Sequence, residues 1–184
     1  MNNRVELRFA GFGGQGLILA SIILAEAALD CSLYAAQSQS YGPEARGGMC
    51  KAELVIDHGE IDYPKVVDAD CLLTLNQSSF DKYAKEIKDT GVIIADSGIN
   101  VQAYSSDKKI VSIDILKTAA HTVGKEVTAN IVALGAVNAL LNVVDAESLE
   151  RAVLKHVPKS TRELNIRALA EGRKLVAVHA QPGW

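Results

Sequence analysis

The chain has only three cysteines, Cys31, Cys50 and Cys71. They stand about 20 positions apart, the spacing of neither a disulfide scaffold nor a zinc or iron–sulfur ligand set. They read as reduced thiols packed as small hydrophobes, and no metal is expected. Charge of one sign is also missing. The 19 basic and 22 acidic residues leave a formal net charge of -3 and are spread along the chain, so nucleic acid is not an expected partner. No stretch offers the roughly 18 uninterrupted apolar residues of a membrane span, and the opening "MNNRVELRFAG" lacks a signal-peptide core. A cytoplasmic protein with no membrane partner is expected. There is no G-x-S-x-G nucleophile elbow, which argues against a hydrolase. The histidines His58, His121, His156 and His179 form no i, i+4 pair of the metal-binding kind.

What is present suits one domain over residues 1–184, with 48% hydrophobic residues to build a core. "VELRFA" predicts a strand leading into glycines, and Leu17, Ile18, Ser21, Leu24, Ala25 and Ala28 then recur at helical spacing. "SLYAA" (32–36) predicts a second strand, followed by a loop of about a dozen residues, "QSQSYGPEARGG". "MCKAELVID" alternates and predicts a strand that is antiparallel or at an edge. "ADCLLTLN" and "GVIIADSG" are buried strands on either side of a helix in "SSFDKYAKEIKDTG", and "KKIVSID" is a further short strand. From Asn130 onward helices dominate. The expected class is α/β: a single Rossmann-like domain with a mostly parallel sheet, helices on both faces and a helical C-terminal third.

Gly11, Gly13, Gly14 and Gly16 crowd the six positions "GFGGQG". Gly11, Gly13 and Gly16 satisfy G-x-G-x-x-G between a strand and a helix, where backbone amides and the helix dipole face an anion. A tight turn with no ligand is the alternative. An NAD site needs an acidic residue about 20 positions on, where this chain has Gln37, Ser38 and Gln39, and the Lys-Ser/Thr of an ATP-binding loop is absent. The second loop carries Tyr41, Glu44 and Arg46 on a frame of Gly42, Pro43, Gly47 and Gly48. It should leave the same carboxyl edge of the sheet, where an arginine can fork onto a phosphate or carboxylate. An ordinary surface turn is the alternative here too. Asn76, ending "CLLTLN", either caps the next helix or faces the crevice.

Taken together, "GFGGQG", "QSYGPEARGG", "IDYPKV" and "ADCLLTLN" resemble the gamma subunit of the 2-oxoacid:ferredoxin oxidoreductases, and "SYGPEARGG" with "EIDYPKV" is closer to the 2-oxoglutarate branch. The resemblance implies a pyruvate/ketoisovalerate oxidoreductase gamma-type domain. It would serve a multi-subunit enzyme that decarboxylates a 2-oxoacid, forms an acyl-CoA and reduces ferredoxin. Thiamine diphosphate and iron–sulfur clusters would lie on alpha, beta and delta subunits, with the chain inactive by itself. It further implies contact with coenzyme A by Gly11, Gly13, Gly14, Gln15, Gly16 and Arg46. Ser38, Tyr41, Gly42, Glu44, Gly47, Gly48 and Asn76 would line the crevice or a subunit interface, and no residue acts as a catalytic acid or base. A free-standing NAD- or FAD-binding oxidoreductase and a purely structural assembly subunit remain the competing readings.

Overall fold

A computed structural model describes residues 4–40, 48–102, 104 and 108–177. Its centre is a six-stranded sheet in the order β2-β3-β1-β4-β5-β6. The strands are β1 (Val5–Phe12), β2 (Tyr34–Ser40), β3 (Met49–Asp57), β4 (Ala69–Thr74), β5 (Ile87–Asp96) and β6 (Lys109–Ile113). β1, β4, β5 and β6 pair in parallel. β3 alone runs against the others, between β1 and β2.

"CLL" in β4 and "VIIA" in β5 are unbroken apolar runs because both of their faces are covered. In β1 the alternation divides the strand: Leu7 and Phe9 enter the larger core, while Ala10 enters the smaller one on the opposite face. The larger core lies under α1 (Leu17–Asp30), α4 (Ala129–Leu141), α5 (Ala146–His156) and α6 (Arg162–Val176). The other face carries α2 (Gln77–Tyr83) and loop side chains, among them Ile61, Val66, Ile99, Val101 and Tyr104. Between β6 and α4, the single turn α3 (Ile115–Lys117) widens into a π-helical turn, Thr118–Val123. Helices thus cover both faces, unevenly.

α4 is apolar nearly all round because it is buried nearly all round. It meets α6 backbone to backbone: a Cβ on Gly135 would strike the Leu169 carbonyl, and one on Gly172 the Val132 carbonyl. No larger residue fits at that crossing.

Two sequence expectations are corrected and a third is made specific. The second strand runs to Ser40, so Gln37, Ser38 and Gln39 lie within it rather than beyond its end. The helix of "SSFDKYAKEIKDTG" stops at Tyr83, and Ile87 already pairs with Ala69 in the sheet. "MCKAELVID" is antiparallel as expected but lies one strand in from the edge.

A buried cation, unforeseen in the sequence, spans the sheet's thinner face. Arg8, 2% exposed, donates from Nε to Glu53 Oε1 at 2.9 Å and pairs through Nη1 with Glu86 Oε2 at 2.7 Å. Its Nη2 donates to the Val66 and Val67 carbonyls, and the guanidinium lies 5.4 Å from the Tyr83 ring centroid. A full set of acceptors is what lets a charge sit there.

Candidate functional site at the glycine turn

The four glycines of the turn do different work. Gly11 is bare because Gln15 and Leu17 occupy the space a side chain would need, and the Gln15 Oε1 accepts the Phe12 amide at 2.6 Å. Gly16 takes φ +74 and is bare because Asn130 packs on it; Asn130 Nδ2 donates to the Gly16 carbonyl at 3.3 Å. Gly14 takes φ +93 and opens on empty space. Gly13 shows neither reason: its φ lies outside the left-handed region, and among the described residues an added Cβ would meet only the Gly48 carbonyl, at an ordinary 3.7 Å.

Gly16 is the N-cap of α1 and supplies no side-chain acceptor, and no acidic residue stands in the first turn. The first amide of α1 to find a carbonyl is that of Ala20, bonded to Gly16 at 3.0 Å. The amides of Leu17, Ile18 and Leu19 therefore have no helical partner, and the positive end of the helix dipole lies at this turn.

The two loops foreseen as facing each other do meet where they are described. The Gly13 amide donates to the Gly48 carbonyl at 2.6 Å. Between them lies a cleft of about 520 Å3 whose walls are Gly13, Gly14 and the first turns of α1 on one side and Ser40, Gly48, Met49 and Cys50 on the other. Its lining is mostly apolar, and burial pushes the Cys50 thiol up from its ordinary range. A second cleft of about 640 Å3 opens across Gly14 and Gln15, toward Lys117, Glu126 and Val127. The Lys117 Nζ there is 4.0 Å from Asp114 and largely exposed.

Of the other foreseen residues, Tyr41, Gly42, Glu44, Arg46 and Gly47 lie outside the described residues. Ser38 sits in β2, paired opposite Glu53. Asn76 caps α2, its Oδ1 accepting the Ser79 amide at 2.9 Å, while its Nδ2 and the Ser79 Oγ are buried with no partner among the described residues. Asp96, at the carboxyl end of β5, accepts from the amides of Gly98 and Leu116 and so ties α3 to the sheet. Asn130, which the sequence marks only as the start of the helical C-terminal third, is the residue sequence reasoning undervalued. It lies 114 positions from Gly16, and no local pattern announces the contact.

The geometry speaks against a dinucleotide site. The strand beside β1 on the α1 side is the antiparallel β3, so no parallel neighbour brings an acidic residue to a ribose. At the relevant position Gln37 instead turns inward, its Nε2 donating to the Ser21 Oγ of α1 at 3.1 Å.

Fold and turn together define a Rossmann-like α/β domain whose first crossover is a glycine-lined helix start at the carboxyl edge of the sheet. The chain belongs to the pyruvate ferredoxin/flavodoxin oxidoreductase family, whose sequence profile matches residues 6–175. It is 44% identical over 179 residues to the 2-oxoglutarate synthase subunit KorC of Methanocaldococcus jannaschii, covering 92% of each chain. The crystal structure of the keto/oxoacid ferredoxin oxidoreductase gamma subunit of Geobacter sulfurreducens superposes with a TM-score of 0.84 at 44% identity, over 96% of this chain and 98% of that one. The fold recurs at a TM-score of 0.82 and 18% identity in the 2-oxoglutarate:ferredoxin oxidoreductase of Magnetococcus marinus, solved with 2-oxoglutarate, coenzyme A and succinyl-CoA bound. There the match covers 97% of this chain but 32% of the longer one.

Proposed function

We propose that this chain is the gamma subunit of a 2-oxoglutarate:ferredoxin oxidoreductase and that its glycine turn receives the diphosphate of coenzyme A within the assembled enzyme. The assembly takes CO2 from the 2-oxoacid, passes two electrons to ferredoxin and transfers the acyl group to the coenzyme A thiol. Thiamine diphosphate and the iron–sulfur clusters reside on the alpha, beta and delta subunits, and this chain contributes no acid, base or nucleophile.

The observation that carries the coenzyme A reading is Gly13. Neither backbone conformation nor packing against the described residues requires glycine there, yet the position is bare beside three helix-start amides. A ligand phosphate approaching the backbone supplies the missing reason. The apolar cleft next to it suits the pantetheine arm, and Lys117 and Arg46 are cations suited to flanking anions. The role of the KorC relative supports the substrate.

The test is steady-state kinetics of the purified complex carrying Gly13→Ala. The KM for coenzyme A rises about tenfold or more, the cost of losing ~1.4 kcal/mol of binding, while the KM for 2-oxoglutarate stays put. An unchanged KM for coenzyme A would remove the phosphate role and leave the subunit assignment standing.

A further inference from the structure

The two edges of the sheet are treated differently. β6 is five residues long, opens on Lys109 and follows Lys108, which is how an exposed edge is normally kept from recruiting other strands. β2 is seven residues long, reads "YAAQSQS", and has no charged residue and no proline. Among the described residues no strand lies outside it. Among the described residues nothing pairs with its outward amides and carbonyls, which form an undefended template.

The helix packed behind that edge is equally unguarded. Ile18, Ile22, Ala25 and Leu29 recur on α1 at intervals of four, three and four, giving an apolar stripe. None of the four is fully buried; Ile22 is 36% and Leu29 58% exposed. The stripe runs without interruption into the cleft at the glycine turn, because Ile18 and Ile22 belong to both. Whatever covers the stripe therefore also roofs that cleft. The assembly reading of the preceding section supplies the protein to cover it, the partner subunits of the oxidoreductase family to which the chain belongs.

We infer that the β2 edge and the α1 stripe form one docking surface for a partner subunit of the oxidoreductase. That subunit adds a strand to β2 through an uncharged contact face and closes the cleft beside Gly13. The inference rests on the assembly reading of the preceding section. A second copy of this chain is the competing occupant.

Hydrogen exchange at the amides of Tyr34–Ser40 decides between them, measured on the full chain alone at several concentrations and on the complex recovered through it, its thiamine- and cluster-bearing subunits identified. The outward amides exchange freely in the isolated chain and at least about tenfold more slowly in the complex. Leu29→Arg with Gln39→Lys leaves the melting transition of the isolated chain in place and abolishes recovery of the partner. Protection that grows with concentration in the isolated chain would assign the surface to a second copy and overturn the inference. A complex that forms while these amides exchange as in the free chain would overturn it and leave the assembly reading intact. A wild-type chain that recovers no such partner would overturn both.

Discussion

Gly13 and Gly16 differ by three positions and by everything that makes a glycine necessary. Gly16 holds a left-handed backbone under Asn130. Alanine there costs about 1–3 kcal/mol through strain and collision, seen as a lowered midpoint in chemical denaturation. Gly13→Ala shifts that midpoint by no more than about 0.5 kcal/mol, so its effect on coenzyme A is not a folding effect. Arg8 is the opposite kind of residue, one whose whole value is structural. Arg8→Ala leaves Glu53, 8% exposed, with only Lys51 at 3.0 Å as a cationic partner, and destabilises by about 3–5 kcal/mol in the same assay. Glycines after a strand announce themselves in a sequence. A buried arginine does not, because its acceptors come from Glu53, Val66, Val67 and Glu86, scattered over three segments.

At the scale of elements, the crossing of α4 and α6 has no slack. Gly172→Ala must push the helices apart, and a loss of about 1–3 kcal/mol is expected in thermal unfolding, more than Gly→Ala would cost on an open helix face. α1 and α5 are held on the surface by Glu26, which pairs with Lys155 at 2.7 Å and His156 at 2.6 Å, while Asp30 shares Lys155. The hydrogen bond from Lys155 holds the Glu26 carboxyl below its ordinary range. A lowered carboxylate stabilises the fold above its unfolded value and loses that effect as pH falls through the folded one. The melting temperature of Glu26→Gln is therefore below wild type at neutral pH, and the gap closes on acidification past the ordinary carboxylate range. The helices were legible from their own residues: Asp145 opens α5 as an N-cap, accepting the Ser148 amide at 2.8 Å. The strands that were misread owe their state to neighbours. Gln37–Ser40 extend because β3 pairs with them, and Ile87–Thr90 extend where the pairing of β5 with β4 shifts register between Ala69 and Cys71, despite a helical spacing of their own.

For the whole molecule, the order of strands explains why the parallel class and one antiparallel strand were visible and the place of that strand was not. Apolar runs betray doubly covered parallel strands and alternation an antiparallel one, whereas the insertion of β3 between β1 and β2 is a fact of pairing that leaves no mark on any one segment. The candidate site was half legible in the same way: the turn is local, its brace on Asn130 is not. On the proposed reading, in which thiamine diphosphate and the clusters belong to partner subunits, the isolated chain is expected to show no 2-oxoacid-dependent reduction of an electron acceptor. Turnover should appear only when the partner subunits are added, as dye reduction would report.

β1 begins at the sheet edge opposite the glycine turn and crosses the domain before reaching it. Its eight residues put roughly 25 Å between Val5 and Phe12. An affinity handle, a fluorophore or a surface tether fixed ahead of Arg4 thus starts at the far pole from the cleft, and immobilisation through it leaves the glycine pole turned toward solution.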